Sequence, residues 1–248
     1  MSNPQVSIIT VTQLSRSLCL KNLLTLIKLQ TYENIIEWVI VEGSKTEKDG
    51  IENRKKIIDL SFESHLPIVY LKYTGNALSD LRNNGNTVCS GDIIVCMDDD
   101  DYYPAQRIED AVYKLTKSKC LIAGCSDIYI YDYYLATLYR SQKLGKNHST
   151  NNCMAFKREY LLTNAHDPGL THGEEKSFTK NFTEPMVQLN SKKCIVVSSH
   201  DSNTFNKRPL FTQNLFKKIK KQVTKLIPVE IFNTMSAGFR PIPIGQSM

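Results

Sequence analysis

The chain has no apolar run of transmembrane length, so no membrane-spanning helix is expected. Its start lacks a basic stretch, a long apolar segment and a cleavage site, so no signal peptide is expected either. Its seven cysteines include no CxxC pair and no clustered metal-type spacing. An odd, scattered set argues against a closed disulfide framework and points to a reducing, cytoplasmic setting. Cys120 and Cys125 flank one short strand signal, as core thiols do. The sequons at Asn147 and Asn181 are then expected to be chance. No internal repeat and no low-complexity segment is visible. Acidic residues are missing altogether between Ser202 and Val229, where Lys207, Arg208, Lys217, Lys218, Lys220, Lys221 and Lys225 stand. The rest of the chain is near neutral, so the net charge of +6 resides in this segment. A basic segment on a neutral body is not the pattern of a nucleic-acid-binding domain, and no nucleic-acid partner is expected.

What is present is enough apolar residue, 41% of 248, for a sizeable core. Val6 to Val11 reads as a strand, Ser15 to Gln30 as a helix with Leu20, Leu23, Leu24 and Ile27 on one face, and Glu37 to Val41 as a second strand. A helix over Lys48–Ser64, a strand over Ile68–Leu71, a helix over Leu78–Cys89 and a strand over Asp92–Met97 follow. Pro104 opens a helix to about Lys117, and Cys120 to Ala123 is a fifth strand. This strict alternation predicts a mostly parallel sheet with right-handed crossovers. After Gly124 the pattern changes. Ile128 to Tyr139 predicts antiparallel strands, and Cys153–Phe156, Val187–Leu189 and Ile195–Val197 predict further short ones. The expected organisation is one α/β catalytic domain over 1–206. Residues 1–124 form its nucleotide-binding half and 125–206 its mixed half, and 207–248 form a basic helix and an irregular tail.

The chemistry concentrates at Asp98-Asp99-Asp100-Asp101, directly after the apolar run Ile93–Met97. Four consecutive carboxylates repel one another and are tolerated best where a cation compensates them. The run before them reads as a buried central strand, so they stand at its carboxyl end, where open α/β sheets bind ligands. Hard oxygen ligands suit Mg²⁺ or Mn²⁺, usually shared with a ligand's phosphates. A solvated acidic turn is the bland alternative, disfavoured after a buried strand.

Four motifs in order resemble the family 2 glycosyltransferases of the GT-A fold. They are Val6–Thr12 with Gln30–Asn34 and Trp38–Ser44, Leu81-Arg82-Asn83-Asn84-Gly85-Asn86, Met97–Asp101 with Pro104, and Gly173-Glu174-Glu175. The resemblance covers about residues 5 to 205. It implies a GT-A-type, mostly parallel sheet flanked by helices, with a nucleoside-diphosphate sugar as donor and Mn²⁺ or Mg²⁺ as cofactor. It implies that Asp100 binds the metal directly, that Asp98 holds the ribose or a metal-bound water, and that Asp101 orients the others or faces the acceptor. Asp99 is counted with the donor-binding acids. Glu42 stands where the family usually has an Asp-Asp pair, one acid short, which leaves the base open, with a UDP-sugar favoured. Arg82 resembles the residue beside the base or diphosphate; the alternative is a surface Arg paired with Asp80. Inverting transfer needs a base for the acceptor hydroxyl. The resemblance points to Glu175 as base, with Glu174 beside it, one of the pair serving as a helix-capping acid over Glu174–Asn181. His200, at the end of a strand signal, resembles a late metal ligand, with a structural role equally open; His166 and His172 are read as solvated. Asn151 to Met154 resemble the acceptor-side strand.

Leu215, Ile219, Val223 and Leu226 or Ile227 share one helical face between the lysines. Such a helix could lie peripherally on an anionic membrane surface. A helix docked on the catalytic body is preferred, because the apolar face is narrow and lacks Trp. The acceptor could be glycan, lipid or protein. A sugar-phosphate nucleotidyltransferase would need a Gly-rich loop after the first strand, and Thr12–Arg16 has no Gly. A degenerate binding or scaffold protein is the other alternative, disfavoured by the intact acids.

Overall fold

A computed structural model describes residues 3–13, 16–44, 46–213 and 215–239. The first half alternates as expected. Strands β1 (Val6–Gln13), β2 (Ile35–Ser44), β3 (Ile68–Thr74), β4 (Ile93–Cys96) and β5 (Ile122–Gly124) are separated by helices α1 (Ser17–Lys28), α2 (Glu47–Glu63), α3 (Leu78–Val88) and α4 (Arg107–Lys117). With β8 (Ala155–Lys157) and β9 (Met186–Gln188) they form a seven-stranded sheet in the order β3-β2-β1-β4-β8-β5-β9. Only β8 runs against its neighbours.

The period of two along each central strand builds both cores. Val6 and Ile8, Trp38 and Ile40, and Ile93 and Val95 face one side, where Leu23 and Ile27 of α1 and Ile108 and Leu115 of α4 cover them. Ile9 and Val11, Val39 and Val41, and Ile94 and Cys96 face the other, against Leu81 of α3, Tyr160 and Phe178. Gly85 permits the close approach of α3. A Cβ there would lie 2.5 Å from Ile9 Cδ1 and 2.8 Å from Val41 Cγ2. That seating holds Arg82, on the same helix, at the sheet's carboxyl edge.

A second sheet follows, in the order β10-β6-β7-β11. It comprises β6 (Tyr129–Asp132), β7 (Thr137–Ser141), β10 (Val196–Ser199) and β11 (Phe216–Ile219). The antiparallel β6–β7 hairpin matches expectation. Tyr102, just past the acidic turn, exchanges backbone hydrogen bonds with Val196 (3.1 and 2.9 Å) and so fixes the second sheet beside β4.

The C-terminal segment corrects the sequence reading. The expected basic helix is instead the edge strand β11, paired antiparallel with β7, followed by a short 3₁₀ turn at Val223–Lys225. Lys217, Lys218, Lys220 and Lys221 are exposed, and lysine on an edge strand discourages pairing with another chain. The expected irregular tail contains a helix, α7 (Val229–Phe239). Phe232 of α7 meets Tyr131 edge-on at 5.3 Å, and Phe239 stacks on His200 at 4.0 Å with the rings 7° apart. The part of the expected irregular tail beyond Phe239 lies outside the described residues. Among the described residues no helix is long and apolar enough to cross a membrane.

Candidate active site

The acidic turn is held by the strand ends that produce it. Thr10 Oγ1 donates to Met97 O (2.7 Å) and accepts from Trp38 Nε1 (2.9 Å), tying β1 and β2 to the end of β4. The Asp98 amide donates to Tyr103 Oη at 2.6 Å. Arg107 is fully buried and donates through Nη2 to the carbonyls of Cys153 and Met154, each at 2.9 Å. It therefore fixes the segment entering β8 against the turn. These backbone restraints hold four like charges in one place.

Each carboxylate of the turn then has its own partner. Arg82 grips Asp98 through both terminal nitrogens, at 3.1 Å each, and donates from Nε to Glu174 at 2.9 Å. Arg16 Nη1 lies 2.9 Å from both Asp99 Oδ1 and Asp100 Oδ2. Thr12 Oγ1 donates to Asp99 at 2.6 Å. Asp100 Oδ2 also faces His200 Nε2 at 3.2 Å and accepts from Asn203 Nδ2 at 3.0 Å. Asp101 accepts from Asn152 Nδ2 (2.7 Å) and from the Ser198 amide (2.8 Å), and so is tied to the second half of the chain. Among the described residues, two guanidiniums from distant parts of the sequence thus pair with Asp98, Asp99 and Asp100.

These contacts split the acids. Burial pushes Asp99 up to about 7, with the Asp100 charge adding to it against the pull of Arg16. For Asp100, burial acts upward but Arg16 and the His200 hydrogen bond outweigh it, and the carboxyl lies below its ordinary range. Burial raises Asp101 far above the ordinary range, and neighbouring Asp100 raises it further. The two glutamates part in the same way. Burial would raise Glu174, but the Arg82 charge outweighs it and holds Glu174 low. Burial and the Glu174 charge raise Glu175. Among the described residues Glu175 makes no ion pair.

The turn opens onto a cavity of about 420 Å³. Asp98 to Asp101, Arg82, Glu174 and Glu175 line it, together with Arg16, Asn152 and Lys207. Two expected residues stand behind this wall. His200 is buried behind Asp100, its Nδ1 2.8 Å from Ser202 Oγ. Glu42 is fully buried at the end of β2 and accepts from Tyr70 Oη at 3.2 Å. Arg82 is buried rather than at the surface, and its partners are Asp98 and Glu174, not Asp80. His166 is also buried, against the expectation of a solvated ring. It stacks on Phe178 at 4.2 Å, its Nδ1 lies 3.0 Å from Glu174 O, and burial pushes it down to about 4. His172 is exposed, as read. The expected helix at Glu174 is one turn long, α5 (Glu175–Phe178). Sequence reading passed over Arg16, Asn203 and Phe239 as site residues. For Arg16 a signal existed, a lone cation in the loop at the carboxyl end of β1, next to β4 in the sheet.

Among the described residues no three His, Cys, Asp or Glu side chains cluster as a closed metal cage. Asp100 and His200 nevertheless present a hard oxygen and an imidazole nitrogen 3.2 Å apart, spaced as two ligands of one ion. A cation that takes its other ligands from phosphates and water fits such a two-donor site. Both Asp98 oxygens are engaged by Arg82 in this arrangement.

Known proteins place this architecture. Among curated proteins, none matches the chain. Solved structures do. TarS 1-349 from S. aureus in complex with UDP-GlcNAc has a TM-score of 0.61 at 14% identity, covering 81% of this chain and 60% of that one. The mannosyltransferase PcManGT from Pyrobaculum calidifontis, in complex with GDP-Man and Mn²⁺, has a TM-score of 0.60 at 16% identity, covering 82% of this chain and 59% of that one. The chain thus spans about 60% of the length of these proteins, and at such identity the likeness speaks to the fold. The family described as Glycosyl transferase family 2 matches residues 7–172, from β1 to just short of the glutamate pair. With two thirds of its length so matched and the sheet, acidic turn and cavity in place, this chain belongs to glycosyl transferase family 2, on a GT-A fold.

Proposed function

We propose that the chain transfers a sugar, with inversion, from a nucleoside-diphosphate sugar to an acceptor hydroxyl, with a UDP-sugar as the favoured donor. The carrying observation is that Glu174 is ion-paired to Arg82 while Glu175, beside it on the wall that also holds the acidic turn, makes no ion pair among the described residues. Asp100 and His200 would hold a divalent cation, Mn²⁺ or Mg²⁺, which when bound supplies Lewis-acid stabilisation of the departing diphosphate. Arg82, neutralised by Asp98 and Glu174, is a rigid donor-side wall.

Glu175 takes the proton. As the acceptor oxygen bonds to the anomeric carbon, the bond from that carbon to the diphosphate breaks, and the acceptor proton passes to the Glu175 carboxylate. A base works best with a pKa near the operating pH, and burial beside Glu174 raises Glu175 in that direction. Glu174 serves differently: its ion pair with Arg82 fixes the start of α5 and so aims its neighbour. Asp101 has both oxygens engaged and ties the turn to the acceptor half.

A screen of UDP-, GDP- and dTDP-sugars for slow donor hydrolysis with Mn²⁺ tests the reading. Cleavage of at least one donor, lost in Asp100→Ala, is expected. Equal turnover in wild type and Asp100→Ala would refute it.

A further inference from the structure

Arg16 is absent from the motifs that carry the family resemblance, yet its guanidinium bridges two carboxylates that line the cavity. It meets the Asp100 oxygen that faces His200, and the same nitrogen meets Asp99. With Arg16 and Asn203 both donating to Oδ2, the two lone pairs of the oxygen that faces His200 are taken. The contact is not a loose surface pair: the Arg16 side chain is 12% exposed, and those of Asp99 and Asp100 are 0% and 9% exposed. Arg16 also donates from Nη2 to Ser202 O at 2.7 Å, and Gln13 Nε2 donates to Thr204 Oγ1 at 3.2 Å. The loop after β1 is thereby pinned to the loop after β10.

We propose that Arg16 is a built-in counter-cation that holds Asp99 and Asp100 while the donor is absent, and that it must release Asp100 before a divalent cation can bind between Asp100 and His200. Arg16 is the exchangeable one of the two clamps. Arg82 is gripped through three nitrogens by carboxylates from two different elements, whereas Arg16, at the N-cap of α1, meets both of its carboxylates through a single nitrogen and is the more exposed of the two. A diphosphate offers a guanidinium a bidentate partner with more charge than one carboxylate. Its arrival draws Arg16 off Asp100 and vacates the oxygen beside His200. Cation and nucleotide therefore load together, and each strengthens the other by the same factor. The inference rests on the metal-dependent donor reading of this site.

Titration of Mn²⁺, followed by the electron paramagnetic resonance of the free ion, tests it with and without UDP or GDP. Wild type should take up Mn²⁺ weakly alone and at least about tenfold more tightly with a nucleotide, within the usual span of site-to-site coupling. Arg16→Gln should bind Mn²⁺ alone about tenfold more tightly than wild type and gain little from nucleotide. Arg16→Lys, which keeps the charge but loses the Nη2 bond to Ser202 O, should fall between. A melting curve identifies a variant that fails to fold, and the lysine variant then carries the comparison. If wild type takes up Mn²⁺ with nucleotide but neither variant binds it more tightly alone, the role of Arg16 is overturned and the donor reading stands. If no form takes up Mn²⁺ with any nucleotide, both fall.

Discussion

The acidic turn is clamped from two sides, and the two clamps differ in kind. On one side Arg82, seated on α3, joins Asp98 to Glu174 and is 4% exposed. On the other, Arg16, at the N-cap of α1, joins Asp99 to Asp100 through a single nitrogen. Both neutralise buried carboxylates. The first knits three elements into a wall, and among the described residues its acids make no other ion pair. The second engages Asp99, pushed up to about 7, which can take a proton when its partner leaves. Charge compensation here is therefore of two sorts, one built for rigidity and one for exchange.

The largest effect is expected on the Arg82 side. If Arg82 sets Glu174 and Glu175 apart, Glu175→Gln should cut transfer about 10²–10⁴-fold, as loss of a general base does, while nucleotide affinity stays nearly unchanged. Glu174→Gln should slow transfer less. The sign of the pH effect follows from the direction of the Glu175 shift. A base whose pKa is raised loses its charge at a higher pH, so the acidic limb of kcat/KM should lie above about 4.3, the ordinary glutamate value, and vanish in Glu175→Gln. A larger loss in Glu174→Gln would assign the base to that residue.

Stability should show the same asymmetry. Arg82→Ala strands the buried Glu174 and the partly buried Asp98 and should cost about 3 kcal/mol in denaturant unfolding, the low end for breaking a buried pair. Arg16→Gln should cost less, because protonation of Asp99 relieves the charge it leaves. Equal losses would dissolve the distinction between the clamps. A smaller effect is expected from Gly85→Ala. The added methyl meets Ile9 and Val41 and should cost about 1–3 kcal/mol by overpacking, partly offset by the better helix propensity of alanine. It should also weaken nucleotide binding by shifting α3, and Arg82 with it. An unchanged melting curve and affinity would show that α3 has slack at this contact.

The clamps also mark where sequence stopped being legible. The parallel half could be read because β-branched runs and amphipathic helices alternate, and the carboxyl end of β4 located the acids. Arg82 could be singled out from its motif, but not its partners, since Glu174 lies 92 residues away. The basic segment misled because Leu215, Ile219 and Val223 recur every four residues, whereas pairing of Phe216–Ile219 with β7 decides the outcome. Tertiary pairing overrode a local pattern. For α7 a signal was present: Pro228 precedes it, the Phe232 amide bonds to Pro228 O, and Phe232, Met235 and Phe239 recur at helical spacing. His166 was misplaced because nothing local announces its stacking on Phe178.

The central claim is that Asp100 answers to a divalent cation brought in with a nucleotide. Calorimetric titration of UDP and GDP into wild type and Asp100→Ala, with and without Mn²⁺, tests it most directly. The account predicts that Mn²⁺ strengthens binding of one nucleotide to wild type and that the gain disappears in Asp100→Ala. Binding that is indifferent to Mn²⁺ in wild type, or a gain that survives in Asp100→Ala, would contradict it.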